Sequence, residues 1–115
     1  MAYTDNMSDL AAAVYENLVI DIDPKRESDY AALAIKVSNA EREIRRVRRY
    51  PSTYTEEMIL EDMENYYVNL YDLAMYDFNQ RGAEGQSTVN ENGEYRSWVD
   101  RKKLLNGVHS IAKSV

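Results

Sequence analysis

Apolar side chains recur along this chain at spacings of three and four residues, the period that gathers them on one face of an α-helix. Residues 7–18, "MSDLAAAVYENL", set Leu10, Val14 and Leu18 four apart, with Asn6 or Ser8 available to cap a short amphipathic helix. The next residues, "VIDIDP", are β-branched and end in Asp-Pro, so an extended linker is expected, with Asp23 as N-cap and Pro24 at the first position of a second helix. From Arg26 to Tyr50 a longer pattern follows: Tyr30, Leu33, Val37, Ala40, Ile44 and Val47 alternate at three and four, the seam along which one helix lies on another.

Pro51 pushes Tyr50 out of helical conformation, and Thr53 or Thr55 can start the third helix, Thr53 forming a capping box with Glu56. Residues 55–81 then present Ile59, Met63, Tyr66, Leu70, Leu73 and Ala74 as one long, aromatic-rich helix. Its early acids, Glu56, Glu57, Glu61 and Asp62, favour the positive end of the helix dipole. Gly82 is placed to stop it in the left-handed conformation. In "QSTVNENGEYRSW" an Asn-Gly pair joins two β-compatible runs, a strong local hairpin signal. A last helical segment, about Val99 to Lys113, carries Leu104, Leu105, Val108 and Ile111 and is interrupted by Gly107. The expected fold is mainly α: a small bundle of about four helices, two of them long, with a projecting β-hairpin around residues 86–98.

At 115 residues the chain is expected to form one domain, 1–115, too small to add a separate cofactor domain. It has no cysteine, which excludes disulfides, thiol catalysis and cysteine-ligated zinc and suits a cytosolic or compartment-indifferent protein. No apolar run approaches the roughly 20 residues of a bilayer span, and the acidic start lacks the features of a signal peptide. The formal net charge of -6 disfavours a dedicated nucleic-acid binder. Its distribution is more informative: residues 1–23 are acidic, 24–50 basic, 51–81 acidic and 82–115 nearly balanced. Such blocks pair either within one molecule or between copies in an assembly.

Candidate chemistry is sparse. "GAEGQST" lacks the lysine of a phosphate loop and follows a helix where that loop follows a strand. His109 is the only histidine, so neither a transition-metal site nor a Ser-His-acid constellation is supported. "DIDP" lacks the later oxygen ligands of a calcium loop. No enzyme activity and no cofactor or metal is expected. The basic run "EREIRRVRRY" sets Arg42, Arg45, Arg46 and Arg49 on one broad helical face while Ile44 and Val47 turn to the core. That face suits salt bridges, an acidic protein surface or DNA phosphates. The chain's ten tyrosines exceed what so small a core can cover, which favours burial against another subunit.

Taken together, the segments "RRYPSTYTEEMILEDM" and "YDFNQRGAEGQSTVNENGEYRSW" resemble the head-tail connector family of long-tailed bacteriophages, the portal adaptors or DNA-packaging connectors. The likeness is carried by residues 45–98: a helix running into Gly82, Ala83, Glu84 and Gly85, a turn at Glu91, Asn92 and Gly93, and an exit through Arg96, Ser97 and Trp98. It implies a structural protein of the virion neck, made in the cytoplasm of the host bacterium, that forms a ring of about a dozen copies on the portal and extends the DNA channel. Its implied partners are itself, the portal protein and a tail-side connector or tail-completion protein, with DNA passing through the lumen without sequence-specific binding.

In that reading the hairpin residues Gln86, Ser87, Thr88, Val89, Asn90, Glu91, Asn92, Gly93, Tyr95, Arg96 and Trp98 contact a neighbour that covers their free strand edges. Arg42, Arg45, Arg46 and Arg49 meet Glu57, Glu61 and Glu64 of an adjacent copy. The C-terminal residues Leu105, Val108, His109, Ile111, Lys113 and Val115 dock on the portal. The rival expectation is a small helical DNA-binding regulator that uses the Arg42–Arg49 face.

Overall fold

The computed structural model describes residues 3–83 and 103–110. Those residues form α1 (Asp9–Ile22), α2 (Glu27–Arg48), α3 (Glu56–Met63), a 3₁₀ turn (Glu64–Tyr66) and α4 (Tyr67–Ala83). Backbone angles stay in the right-handed helical region from Met63 through the 3₁₀ turn to Tyr67. α3 and α4 therefore make one rod, and the described chain is a packing of three rods.

Ser8 caps α1, its hydroxyl accepting a hydrogen bond from the Ala11 N–H. The same hydroxyl donates to Glu41 of α2 at 2.6 Å, which ties the start of α1 to the middle of its neighbour. Ala11, Val14, Tyr15 and Leu18 are buried along one face. The expected linker at Val19–Ile22 is instead the last turn of α1. Val19 and Ile22 continue the stripe and pack on the core, and that burial outweighs the weak helix preference of β-branched residues.

Asp23 is accordingly not an N-cap. It ends α1 in the left-handed region at φ 55°, its N–H bonded to the Val19 carbonyl. Aspartate is one of the few side chains that adopts this conformation routinely. Pro24 precedes α2 as a buried linker residue, and Arg26 takes the N-cap position with no side-chain bond.

α2 carries Glu27 and Asp29 in its first turn and Arg45, Arg46 and Arg48 in its last, both favourable to the helix dipole. It buries Leu33, Ala34, Val37, Ala40 and Ile44 and packs chiefly on α4, while α1 lies against both. Thr55 caps α3, accepting from the Met58 N–H at 3.2 Å, so the expected box of Thr53 with Glu56 does not form. The single long helix expected over 55–81 is tightened at Glu64–Tyr66, where Asn65, Tyr66 and Tyr67 are all modest helix formers. α4 runs through Gly82 to Ala83, past the expected stop.

Leu18, Leu33, Ile44, Met63, Leu70 and Leu73 are each under 2% exposed at the centre of the three rods. Truncating any of them to alanine should cost about 2–5 kcal/mol through lost transfer energy and the cavity left behind. No polar or charged residue is buried among the described residues, so the core is purely apolar.

The expected last helix, about Val99 to Lys113, does not continue past Lys103 among the described residues. Leu104–Gly107 form a turn, with the Asn106 N–H bonded to the Lys103 carbonyl, the Val108 N–H bonded to that of Leu105, and Gly107 at φ 87°. Side chains of the body take the carbonyls a helix would use: Asn69 donates to Leu104 at 2.7 Å and to Asn106 at 3.3 Å, and Arg48 donates to His109. Val108, 6% exposed, completes the core. Among the described residues, three rods and a C-terminal strap stand where about four helices were expected. The hairpin expected at 86–98 lies outside the described residues.

Candidate interaction surface

α2 carries five arginines in its final two turns and cap, and the helix divides them into two sets. Arg45 and Arg48 turn toward α3. The Arg45 guanidinium meets the Glu56 carboxylate at 2.6 Å and lies 4.0 Å from Glu41. Its hydrogen bond holds the Glu56 carboxyl below the usual carboxylate range.

Arg48 is more enclosed. Its Nε and Nη2 grip the two oxygens of Asp62 at 2.9 and 3.0 Å, the fork geometry that suits guanidinium and carboxylate. Nη1 reaches the His109 carbonyl at 2.8 Å, and the group lies 5.1 Å from the Tyr66 ring centre and 5.8 Å from that of Tyr50. Tyr50 donates its hydroxyl to Asp62 at 2.6 Å. Burial first, and then this bond to an anion, push the Tyr50 phenol well above its ordinary value.

Arg42, Arg46 and Arg49 occupy the other side and are exposed. Arg42 touches Asn39 at 3.2 Å, and none of the three has an ion pair among the described residues. At 100° per residue Ile35, Arg42 and Arg46 fall within about 40° of the helix circumference, directly opposite the buried Leu33, Val37, Ala40 and Ile44, and Arg49 follows them as the C-cap at φ 52°. Ile35, 58% exposed, adds an apolar side chain to this charged face. Arg46 and Arg49 also border a shallow cavity shared with Val47, Val108, His109 and Ser110.

The rod formed by α3 and α4 repeats the arrangement with opposite charge. Glu57, Glu61 and Glu64 are exposed, at the same spacings of four and three, and have no ion pair among the described residues. Val68 lies one turn beyond Glu64 on the same face and is 67% exposed. These three glutamates, with Asp9, edge a groove whose apolar lining is Leu10, Met58 and Leu60. α2 and α4 pack on each other through their buried faces, so the two charged stripes point in different directions from the body.

Of the residues expected at an interface between copies, Arg42, Arg46 and Arg49 form one stripe and Glu57, Glu61 and Glu64 the other. Arg45 is engaged within its own chain. Among those expected to dock on the portal, Leu105 is half-buried, Val108 belongs to the core, and His109 is exposed with its carbonyl held by Arg48. Ile111, Lys113, Val115 and the hairpin set Gln86–Trp98 lie outside the described residues.

Sequence reasoning misses Arg48 and reads Asp62 only as an acid favourable to the helix dipole, although spacing carries the signal. Arg48 follows the buried Ile44 by four residues and Asp62 immediately precedes the buried Met63, which places both at the edge of the core. Among the described residues no group of three His, Cys, Asp or Glu side chains is arranged to hold a metal ion, and no helix is long and apolar enough to cross a membrane. Comparison with protein-family models, curated proteins and solved structures finds no match to the chain.

Proposed function

We propose that this protein is a ring-forming head-tail connector of a long-tailed bacteriophage. It docks on the portal, extends the DNA channel and offers the attachment surface for the tail side. One observation carries the reading beyond sequence likeness: two exposed stripes of opposite charge and equal spacing, on different faces, neither with an ion pair among the described residues. A closed ring needs such a heterologous interface, in which one patch of each copy meets a different patch of the next.

The sequence "GAEG…ENG…RSW" and its hairpin, Gln86–Trp98, supply a further contact to a neighbouring subunit in this reading, and the C-terminal residues meet the portal. The ring has about twelve copies at the virion neck, and the duplex passes through its lumen without base-specific contact. The subunit's work is geometric, and it requires no cofactor.

Electron microscopy of the purified protein mixed with its cognate portal tests the proposal. A second ring stacked coaxially on the portal is the expected image. A bare portal at saturating protein overturns it.

The exposed trio Arg42, Arg46 and Arg49 also suits a DNA-binding regulator, since three cations with no ion pair among the described residues can each neutralise a phosphate. That function predicts duplex binding whose logarithmic salt slope shrinks by about 2.7 when all three are removed, about 0.9 for each phosphate no longer neutralised. A chain that binds the portal but shows no such slope is not a regulator.

A further inference from the structure

We infer that the Ile35–Arg42–Arg46–Arg49 face of α2 docks onto the Glu57–Glu61–Glu64–Val68 face of a second copy, with the two helices antiparallel. This rests on the ring reading only for its closure into a circle. The surface and its register follow from the charges and exposed apolar residues described above.

Each stripe sets three like charges along about 10 Å of helix, seven residues at 1.5 Å each. Each places one exposed apolar side chain in line with those charges, Ile35 ahead of the arginines and Val68 beyond the glutamates. Neither triad has an ion-pair partner among the described residues, and like charges at one-turn spacing repel. An opposing stripe relieves both triads together and supplies the complementarity that fixes orientation between protein surfaces.

The apolar residues choose the direction. With the helices parallel, Arg42 faces Glu57 and Arg49 faces Glu64, but Ile35 and Val68 then sit at opposite ends, each against water. With the helices antiparallel, Arg42 faces Glu64 and Arg49 faces Glu57, and Ile35 and Val68 come to the same end within about one helical turn. The middle pair, Arg46 with Glu61, is common to both directions and is out of step by only about 1.5 Å in the antiparallel one. A long guanidinium side chain absorbs that offset. The groove lined by Leu10, Met58 and Leu60 runs beside the glutamates and receives the aliphatic stems of the incoming arginines.

The absence of cysteine makes the test clean, because any introduced thiol is unique. The full-length protein is prepared as single variants, Ile35→Cys, Val68→Cys, Arg42→Cys and Glu57→Cys, mixed in pairs and treated with a short bis-maleimide. The expected result is a dimer band from Ile35→Cys with Val68→Cys, and none above background from Arg42→Cys with Glu57→Cys. The reverse pattern overturns the antiparallel register, and no dimer from either mixture overturns the surface.

Independently, Glu61→Lys should weaken self-association by roughly a hundredfold, because it sets like charges face to face, and adding Arg46→Glu to the same chain should restore it. Failure of that rescue, with circular dichroism showing both variants folded, also overturns the surface. If rings form on the portal but neither cross-linking nor rescue occurs, the connector reading stands and this interface does not. Cross-linking and rescue with a bare portal uphold the interface and overturn the connector reading.

Discussion

Arg45 and Arg48 stand on the same turns of α2 as Arg42, Arg46 and Arg49, yet the two sets do different work. The first faces α3, where each guanidinium finds a carboxylate, and Arg48 adds two aromatic rings and a carbonyl. The second faces away from the core and finds no carboxylate among the described residues. Position around the helix, and not residue type, decides whether an arginine secures this fold or stays exposed. The contrast can be broken or sharpened by substitution.

The largest effect is expected at Arg48. Its side chain is 14% exposed and that of Asp62 is 22%. Removing one partner from a pair so enclosed leaves the other charge desolvated and unmatched. Arg48→Ala should therefore cost about 3 kcal/mol, near the lower end for a buried pair, and release the strap at His109. Urea unfolding measures the loss, and proteolysis near residue 110 measures the release. A cost under about 1 kcal/mol would make this an ordinary surface pair and dissolve the contrast.

Tyr50 comes next. Tyr50→Phe removes the bond to Asp62 but keeps the ring beside Arg48, and should cost about 1 kcal/mol near neutral pH. The same bond gives a pH signature. The folded-state value lies above the ordinary 10.0, so the folded protein holds the phenolic proton more tightly than the unfolded chain does. That contribution is intact below pH 10 and is lost as pH rises from there through the raised value. Unfolding free energy should fall with alkalinity, less steeply in Tyr50→Phe than in the natural chain. Equal slopes would mean that Tyr50 has no part in the alkaline loss.

Arg45 should matter less. Glu56 is 64% exposed on its side chain, so water and salt screen the pair even though its geometry is close. Arg45→Ala should cost about 0.5 kcal/mol, and less still in molar salt. A cost matching that of Arg48→Ala would mean that exposure is not what separates the two arginines.

These differences mark where the fold was legible in the sequence. The faces of α2 and of the α3–α4 rod follow from spacing alone, because burial of Leu33, Val37, Ala40 and Ile44 leaves no other face for the charges. The boundaries depended on context that spacing does not carry. α1 gains a turn because Val19 and Ile22 have a core to reach, and Asp23 then ends a helix where Asp-Pro had suggested the start of one. The final segment has helical periodicity in Leu104, Leu105, Val108 and Ile111, but Asn69 and Arg48, remote in sequence, take its carbonyls. The arginine run was equally ambiguous: as one block it conceals Arg48, whose role appears only when Asp62 is brought beside it. The two stripes were legible as charge, while their lack of ion pairs among the described residues required the structure.

The smallest effect on stability is the most informative about partners. Arg46 is exposed, has no ion pair among the described residues, and stands opposite the buried face of α2. Arg46→Ala should shift the unfolding free energy of the isolated chain by no more than about 0.5 kcal/mol, as expected for a surface site without a special contact. If the stripe is an interface, the same substitution weakens self-association and increases its sensitivity to salt, which sedimentation at two ionic strengths reads directly. Stability and assembly then separate at Arg46 and stay together at Arg48, where loss of the fold carries the assembly with it. An Arg46→Ala chain destabilised as much as Arg48→Ala would place Arg46 among the contacts that hold the subunit itself, and the division of α2 into an inward and an outward face would fail.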